Sequence, residues 1–124
     1  MIAHTILYVK DQSKSRDFYK FVLGLDPILD VHGMTEFQLS ENHILGLMPE
    51  AGIKRLLGDK IPDPALGAGI PRAELYIRVK APEIPFKKAI ELGAKELSAI
   101  ANRPWGHKAG YVLDFDGHIL AFAT

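Results

Sequence analysis

Two short segments of the chain share one pattern of apolar and polar residues. Residues 4–10 read His-Thr-Ile-Leu-Tyr-Val-Lys, and residues 74–80 read Glu-Leu-Tyr-Ile-Arg-Val-Lys. Both are rich in β-branched and aromatic residues, which favours strands, and each precedes a segment with helical spacing that ends at a glycine. The repetition predicts one folding unit that is used twice.

The first half predicts the order β-α-β-β-β. Apolar residues recur at helical spacing over roughly residues 13–23, and Gly24 is placed to cap that helix. Alternating or continuous apolar runs then predict three strands, at 28–31, 34–40 and 43–48.

The second half repeats this order after a connector. Residues 49–72 contain one or two potential helical turns, followed by prolines and glycines that disfavour regular structure. Beyond the connector and the strand that opens the second half, a helical pattern ends at Gly93. Strands are then predicted at 95–100, 110–115 and 118–123.

The match between the halves is clearest in their closing strands. Residues 43–47 read HILGL and residues 118–122 read HILAF. We therefore predict a single α+β domain over residues 1–124, made of two tandem βαβββ modules. These are module 1 at 1–48, the connector at 49–72 and module 2 at 73–124.

Composition narrows the classes of function. The 124 residues include 15 basic and 15 acidic side chains, and this balance gives no electrostatic footprint for nucleic acid or a membrane surface. The absence of cysteine leaves histidine and carboxylates as the available metal ligands. The sequence also shows no secretory leader and no apolar run of membrane-spanning length, so we expect a cytoplasmic protein.

The repeated pattern and five short motifs resemble the vicinal oxygen chelate superfamily. That superfamily includes glyoxalase I, extradiol dioxygenases, fosfomycin-resistance enzymes and bleomycin-resistance proteins. The resemblance implies that each module forms half of a cupped, barrel-like mixed sheet around a ligand or metal. It also implies a homodimer, in which modules from both chains commonly form each cavity. The motifs are His-Thr-Ile-Leu-Tyr-Val at 4–9, Arg-Asp-Phe-Tyr at 16–19, Leu-Gly-Leu at 23–25, Trp-Gly at 105–106 and Asp-Phe-Asp-Gly-His at 114–118.

The resemblance also implies where a metal would bind. In metal-dependent members, each module supplies one ligand from its first strand and one from its last strand. The first-strand positions fall on His4 and Glu74, which can both bind a divalent cation, whereas the last-strand positions fall on Gly46 and Ala121, which have no donor atom. We therefore predict no obligatory cofactor. The alternative is one divalent cation, such as Zn, Ni, Mn or Fe, held by His4, Glu74 and a further donor.

Strand alternation extends this set of inward residues. If Glu74 faces inward, Tyr76 and Arg78 share its face, and by the same rule Tyr8 shares the face of His4. The predicted cavity is then polar enough to orient a small ligand and aromatic enough to stack on it. Arg78 would pair either with an anionic substrate or with Glu74.

Two further features bear on ligand binding. Gly46 and Ala121 either enlarge the cavity or accommodate packing between the modules. Trp105, the only tryptophan, lies in a loop that the resemblance places at the cavity rim. Its indole would stack on a planar or cationic ligand, or else pack in the core or at a dimer contact.

Three functions fit these residues. We favour binding and sequestration of a small organic molecule without an obligatory metal, as in bleomycin-resistance proteins. The alternatives are a metal-dependent lyase, isomerase or dioxygenase that uses His4 and Glu74, and a metal-free enzyme in which the same two residues act as acid and base. The predicted ligand contacts are Tyr8, Gly46, Tyr76, Arg78, Trp105 and Ala121.

Overall fold

A computed structural model describes residues 1–124 and divides them into two compact units, Met1–Ala68 and Gly69–Thr124. The division falls inside the connector predicted at 49–72. Each unit contains one four-stranded mixed sheet. The predicted α+β class and its tandem βαβββ order are confirmed.

The first unit contains four strands and two α-helices. In its sheet the strands lie in the order β1-β4-β3-β2, with β1 parallel to β4 and the other neighbours antiparallel. Two short 3-10 helices follow the second α-helix, at Gly58–Lys60 and Pro64–Gly67. The elements are β1 (Ala3–Val9), α1 (Gln12–Leu23), β2 (Leu29–Val31), β3 (Met34–Ser40), β4 (His43–Pro49) and α2 (Glu50–Leu57).

Local sequence sets both ends of α1. The Asp11 side chain accepts a hydrogen bond from the Lys14 N–H at the N-terminus, and Gly24 adopts the left-handed conformation, φ 66°, at the C-terminus. The helix buries an apolar stripe next to β3 and β4. The buried residues of this layer are Val9, Phe18, Tyr19, Val22, Phe37, Leu45 and Leu47.

The second unit contains the remaining four strands and one α-helix. Its sheet has the order β5-β8-β7-β6, with β5 parallel to β8 and the other neighbours antiparallel. It therefore has the strand order and directions of the first sheet. The elements are β5 (Glu74–Arg78), α3 (Glu83–Glu91), β6 (Lys95–Asn102), β7 (Lys108–Leu113) and β8 (Ile119–Ala123).

Helix α3 covers one face of the second sheet and packs closely against it at Gly110. A β-carbon built on Gly110 would lie 2.5 Å from Ile100 Cγ1 and 2.9 Å from Phe86 Cε2. Because neighbouring side chains on a strand point to opposite faces, Tyr111 lies on the face that α3 does not cover. That face carries the candidate site.

The connector is more regular than its prolines and glycines predict. Residues 50–57 form α2, as the predicted helical turns anticipated, but the Pro64–Gly67 segment also forms a 3-10 turn. Pro64 starts this turn because its fixed φ suits a first helical position, and the Asp63 side chain caps it. No helix of the chain is long and apolar enough to cross a membrane.

Candidate ligand-binding site

Two tyrosines lie in one row, with Ala121 between them, on the open face of the second sheet, which is the face that α3 does not cover. Tyr76 on β5 pairs with Ala121 on β8, and Ala121 pairs in turn with Tyr111 on β7. The register therefore puts all three side chains in one row across the sheet. Glu74 and Arg78 lie on the same face, two residues before and after Tyr76.

The loop between β6 and β7 brings an indole and an imidazole to the Tyr76 hydroxyl. Gly106 takes a positive φ of 93° and donates its N–H to the Arg103 carbonyl at 3.0 Å, which closes a tight turn. From this turn Trp105 Nε1 donates to Tyr76 Oη at 3.0 Å, and His107 Nδ1 lies 2.9 Å from the same oxygen. Since an indole N–H can only donate, Tyr76 Oη accepts from Trp105, and the histidine tautomer sets which of Tyr76 Oη and His107 Nδ1 donates to the other.

Arg103 holds this loop to the sheet. Its guanidinium donates to the Ala109 carbonyl through Nε and Nη2, at 3.0 and 2.8 Å. The Nη2 group also donates to Ser98 Oγ at 2.8 Å and to the Ala99 carbonyl at 2.9 Å. The same guanidinium lies 5.2 Å from the centre of the Tyr111 ring, a cation–π distance. Arg103 is thus committed to the protein.

The Tyr111 hydroxyl is the uncommitted donor of the row. It forms no hydrogen bond within the chain. Burial raises the pKa of the Tyr111 phenol above its usual value, and the negative charge of Glu74 raises it further. The hydroxyl therefore stays protonated, and able to donate a hydrogen bond, throughout the neutral range.

Two opposite charges on this face are unpaired. Glu74 and Arg78 are both exposed, and neither forms a salt bridge or a hydrogen bond through its side chain. The sequence predicted that Arg78 pairs either with an anionic substrate or with Glu74, and no ion pair between Arg78 and Glu74 is present. Trp105 adds a large exposed surface beside them, with 55% of the residue accessible.

The first unit presents a different pair of groups on the corresponding face. His4 Nδ1 lies 3.5 Å from Glu36 Oε1, with 40% of the histidine side chain exposed and 17% of the glutamate side chain. Glu36 reaches this position because it pairs with Gly46 across β3 and β4, and Gly46 pairs with Ile6 on β1. The carboxylate beside His4 in its own unit is therefore Glu36.

Comparison with known proteins decides the family. The model of the glyoxalase/bleomycin resistance protein/dioxygenase superfamily matches residues 1–122. The chain belongs to this superfamily. No curated protein matches it.

Solved structures share the fold at low sequence identity. A glyoxalase-related enzyme from Fulvimarina pelagi is 22% identical, with a TM-score of 0.81 over 99% of this chain and 86% of that one. A family enzyme from Burkholderia phytofirmans PsJN is 16% identical, with a TM-score of 0.78 over 97% and 94%. A protein from Agrobacterium tumefaciens, solved by NMR, is 26% identical, with a TM-score of 0.74 over 98% and 94%.

The metal ligands implied by the superfamily do not fit the residues present. Gly46 and Ala121 offer no donor atom, and no group of three or more His, Cys, Asp or Glu side chains is placed to hold a metal ion. His4 and Glu36 supply two donors, whereas mononuclear catalytic centres use three protein ligands. We therefore derive no chemical step through a metal.

Two predicted ligand contacts, Gly46 and Ala121, lie at closely packed positions. A β-carbon on Gly46 would lie 2.7 Å from Ile6 Cδ1 and 3.2 Å from Met34 Sδ, so side chains of its own unit fill the space that the glycine was expected to open. Ala121 has no exposed surface and instead separates the two tyrosines of its row. Gly46 is buried as well. Tyr8 lies on the face of His4 and is 37% exposed.

Sequence reasoning did not find the parts played by Glu36 and Arg103. The alternation of β3 already put Glu36 on the face opposite Phe37, and pairing β3 with β4 in register would have placed it beside Gly46. Arg103 was visible only as the start of the Trp105 loop. Its four hydrogen bonds depend on the path of that loop over β6 and β7, for which the sequence carries no separate signal.

Proposed function

We propose that this superfamily member binds a small planar organic molecule on the open face of its second sheet and does not require a metal to do so. Sequestration of the kind found in bleomycin-resistance proteins is the form of this function that we favour. The proposal depends most on one observation, the row of Tyr76 and Tyr111 with the Trp105 indole fixed beside it.

Each group in the row suits a planar ligand. The exposed indole offers an aromatic face, and its hydrogen bond to Tyr76 limits the orientations it can take before a ligand arrives. The Tyr111 hydroxyl offers a donor with no partner in the chain. A ligand that stacks on Trp105 and accepts a hydrogen bond from Tyr111 would satisfy both.

Fluorescence gives the direct test because Trp105 is the only tryptophan. Titration with a panel of planar heteroaromatic compounds should change the emission with a saturable dependence on concentration. Trp105→Phe should weaken binding measured by calorimetry. Tyr111→Phe should weaken the binding only of those compounds that carry a hydrogen-bond acceptor. If no compound of the panel changes Trp105 emission or shows binding by calorimetry, the proposal is wrong.

A second experiment tests independence from metal. The purified protein is analysed for bound metal, and its thermal unfolding is followed with Ni, Zn, Mn and Fe before and after chelation. We expect binding of the planar compounds to survive chelation. Stoichiometric bound metal with a large gain in unfolding temperature would instead favour the metal-dependent lyase, isomerase or dioxygenase.

A metal-free acid–base enzyme is a second candidate, and the contact between His4 and Glu36 favours it. A carboxylate beside Nδ1 orients an imidazole so that Nε2 is available to take a proton from a substrate. In this form the partner of His4 is Glu36, whereas the sequence predicted Glu74. Proton–deuterium exchange at the α-carbon of a panel of ketones and aldehydes, followed by NMR, tests it. Loss of exchange in His4→Gln, with a partial loss in Glu36→Gln, would support this candidate.

A further inference from the structure

The open face of the second sheet presents one unpaired negative charge and one unpaired positive charge on either side of Tyr76. Glu74 and Arg78 are the two ends of β5 and lie four residues apart, which places their α-carbons about 13 Å from each other. Both side chains are exposed, and neither forms an ion pair or a hydrogen bond in the chain.

We propose that the ligand of this face is bipolar, with a cationic nitrogen bound at Glu74, an anionic group bound at Arg78 and a planar body between them against the aromatic row. This inference rests on the proposed binding function and adds the chemical class of the ligand. A carboxylate binds an ammonium group well, and a guanidinium binds a carboxylate or phosphate through two parallel hydrogen bonds.

The guanidinium of Arg103, beside Tyr111, does not compete for the ligand. Arg103 is held by hydrogen bonds to Ser98, Ala99 and Ala109, which occupy the Nε and Nη2 edge of its guanidinium. Arg78 is thus the cation available next to Tyr76, whereas Lys95 lies on the same face at the far edge of the sheet, in the row of Glu74. At the other end, the neutral Tyr111 hydroxyl lies near enough to Glu74 to sense its charge and leaves that charge uncompensated.

The dimensions of the face also suit a bipolar compound. The two charged side chains are long and flexible, and they can lean toward Tyr76 from either end of β5. A ligand with one aromatic ring between its charged groups would then reach both. The Trp105 indole, tied to Tyr76 Oη, stands beside the position of that ring.

A set of four compounds tests the inference. The zwitterion is 4-(aminomethyl)benzoate, and its methyl ester, its N-acetyl derivative and the doubly masked N-acetyl methyl ester remove one charge or both. Binding is followed at millimolar concentration through the single indole N–H signal of Trp105 in NMR spectra. We expect the zwitterion to bind roughly fivefold more tightly than either singly masked compound, as is typical of partly exposed charge pairs.

Two substitutions assign the charged ends. Glu74→Gln should weaken binding of the zwitterion and the methyl ester but leave binding of the N-acetyl derivative unchanged, because only the first two carry the cationic nitrogen. Arg78→Gln should weaken the zwitterion and the N-acetyl derivative and leave the methyl ester unchanged. Glu83→Gln and Lys87→Gln, at exposed positions on α3 over the opposite face, are the matched controls and should change nothing.

The outcomes separate this inference from the proposed function. If all four compounds bind equally, or if the two substitutions do not follow the charge masked in the ligand, the ligand is not bipolar but binding to the aromatic row stands. If no compound moves the Trp105 signal and the planar panel fails as well, both proposals are refuted.

Discussion

Removing the Arg103 guanidinium should loosen the loop that carries Trp105 and His107. Arg103→Ala deletes four hydrogen bonds, to two backbone carbonyls and the Ser98 hydroxyl, and the cation–π contact with Tyr111. Arg103 is only half-buried, so water replaces part of what is lost. At about 0.5–1 kcal/mol for each hydrogen bond, the unfolding free energy should fall by about 2–3 kcal/mol.

Arg103→Lys separates geometry from charge. A lysine ammonium keeps the positive charge but cannot serve three acceptors from one planar fork, so we expect about half of the loss seen with alanine. Chemical denaturation followed by far-ultraviolet circular dichroism and by Trp105 fluorescence measures both variants. In thermal unfolding the alanine variant should lose about 10 °C for a domain of this size.

The loop should also respond before the protein unfolds. Without the Arg103 guanidinium, the Trp105 indole N–H signal should move toward its position in an unfolded chain, since its hydrogen bond to Tyr76 depends on the path of the loop. Arg72→Ala, at an exposed arginine of the same unit, is the control. If the unfolding free energy of Arg103→Ala is within about 0.5 kcal/mol of the wild-type value and the indole signal does not move, Arg103 does not hold the loop.

Three further predictions concern packing, titration and assembly. Gly110→Ala should lower the unfolding free energy by about 1–3 kcal/mol, because its new methyl group meets Ile100 and Phe86, whereas Gly67→Ala meets nothing within 4 Å and should be nearly neutral in denaturant titration. Because the pKa of Tyr111 is raised in the folded state, its contribution to stability is complete below about pH 10 and is lost as pH rises beyond that, and Tyr111→Phe should remove the corresponding step from a tyrosinate absorbance titration. The superfamily resemblance predicts a homodimer, which analytical ultracentrifugation would contradict by finding only 13.7 kDa particles.

The elements that the sequence predicts well are those whose signals are local. Helix α1 begins at Gln12 and ends at Leu23, within a residue or so of its predicted ends, because Asp11 and Gly24 are direct cap signals. Strand β3 has its predicted bounds, because its polar and apolar residues alternate. Strand β7 begins at Lys108, two residues before its prediction, since cross-strand pairing with β6 extends it beyond the apolar run.

The site is harder to predict because it depends on register between strands distant in sequence. Alternation alone places Glu74, Tyr76 and Arg78 on one face, and the sheet agrees with that. It does not reveal that the Trp105 loop contacts Tyr76, which lies 29 residues earlier in the sequence. Nor does it reveal that Gly46 is packed by Ile6, since that contact joins β1 to β4.

The two modules carry polar groups at matching positions of their third strands. Gly46 and Ala121 hold the last-strand positions without donors, and each pairs with a third-strand residue that has one, Glu36 in the first module and Tyr111 in the second. A side chain placed at Gly46 would first have to displace Ile6 Cδ1, which lies 2.7 Å from the position of the new β-carbon. The absence of last-strand donors therefore does not leave the faces inert, since one carries a carboxylate beside an imidazole and the other a neutral phenol beside an exposed indole.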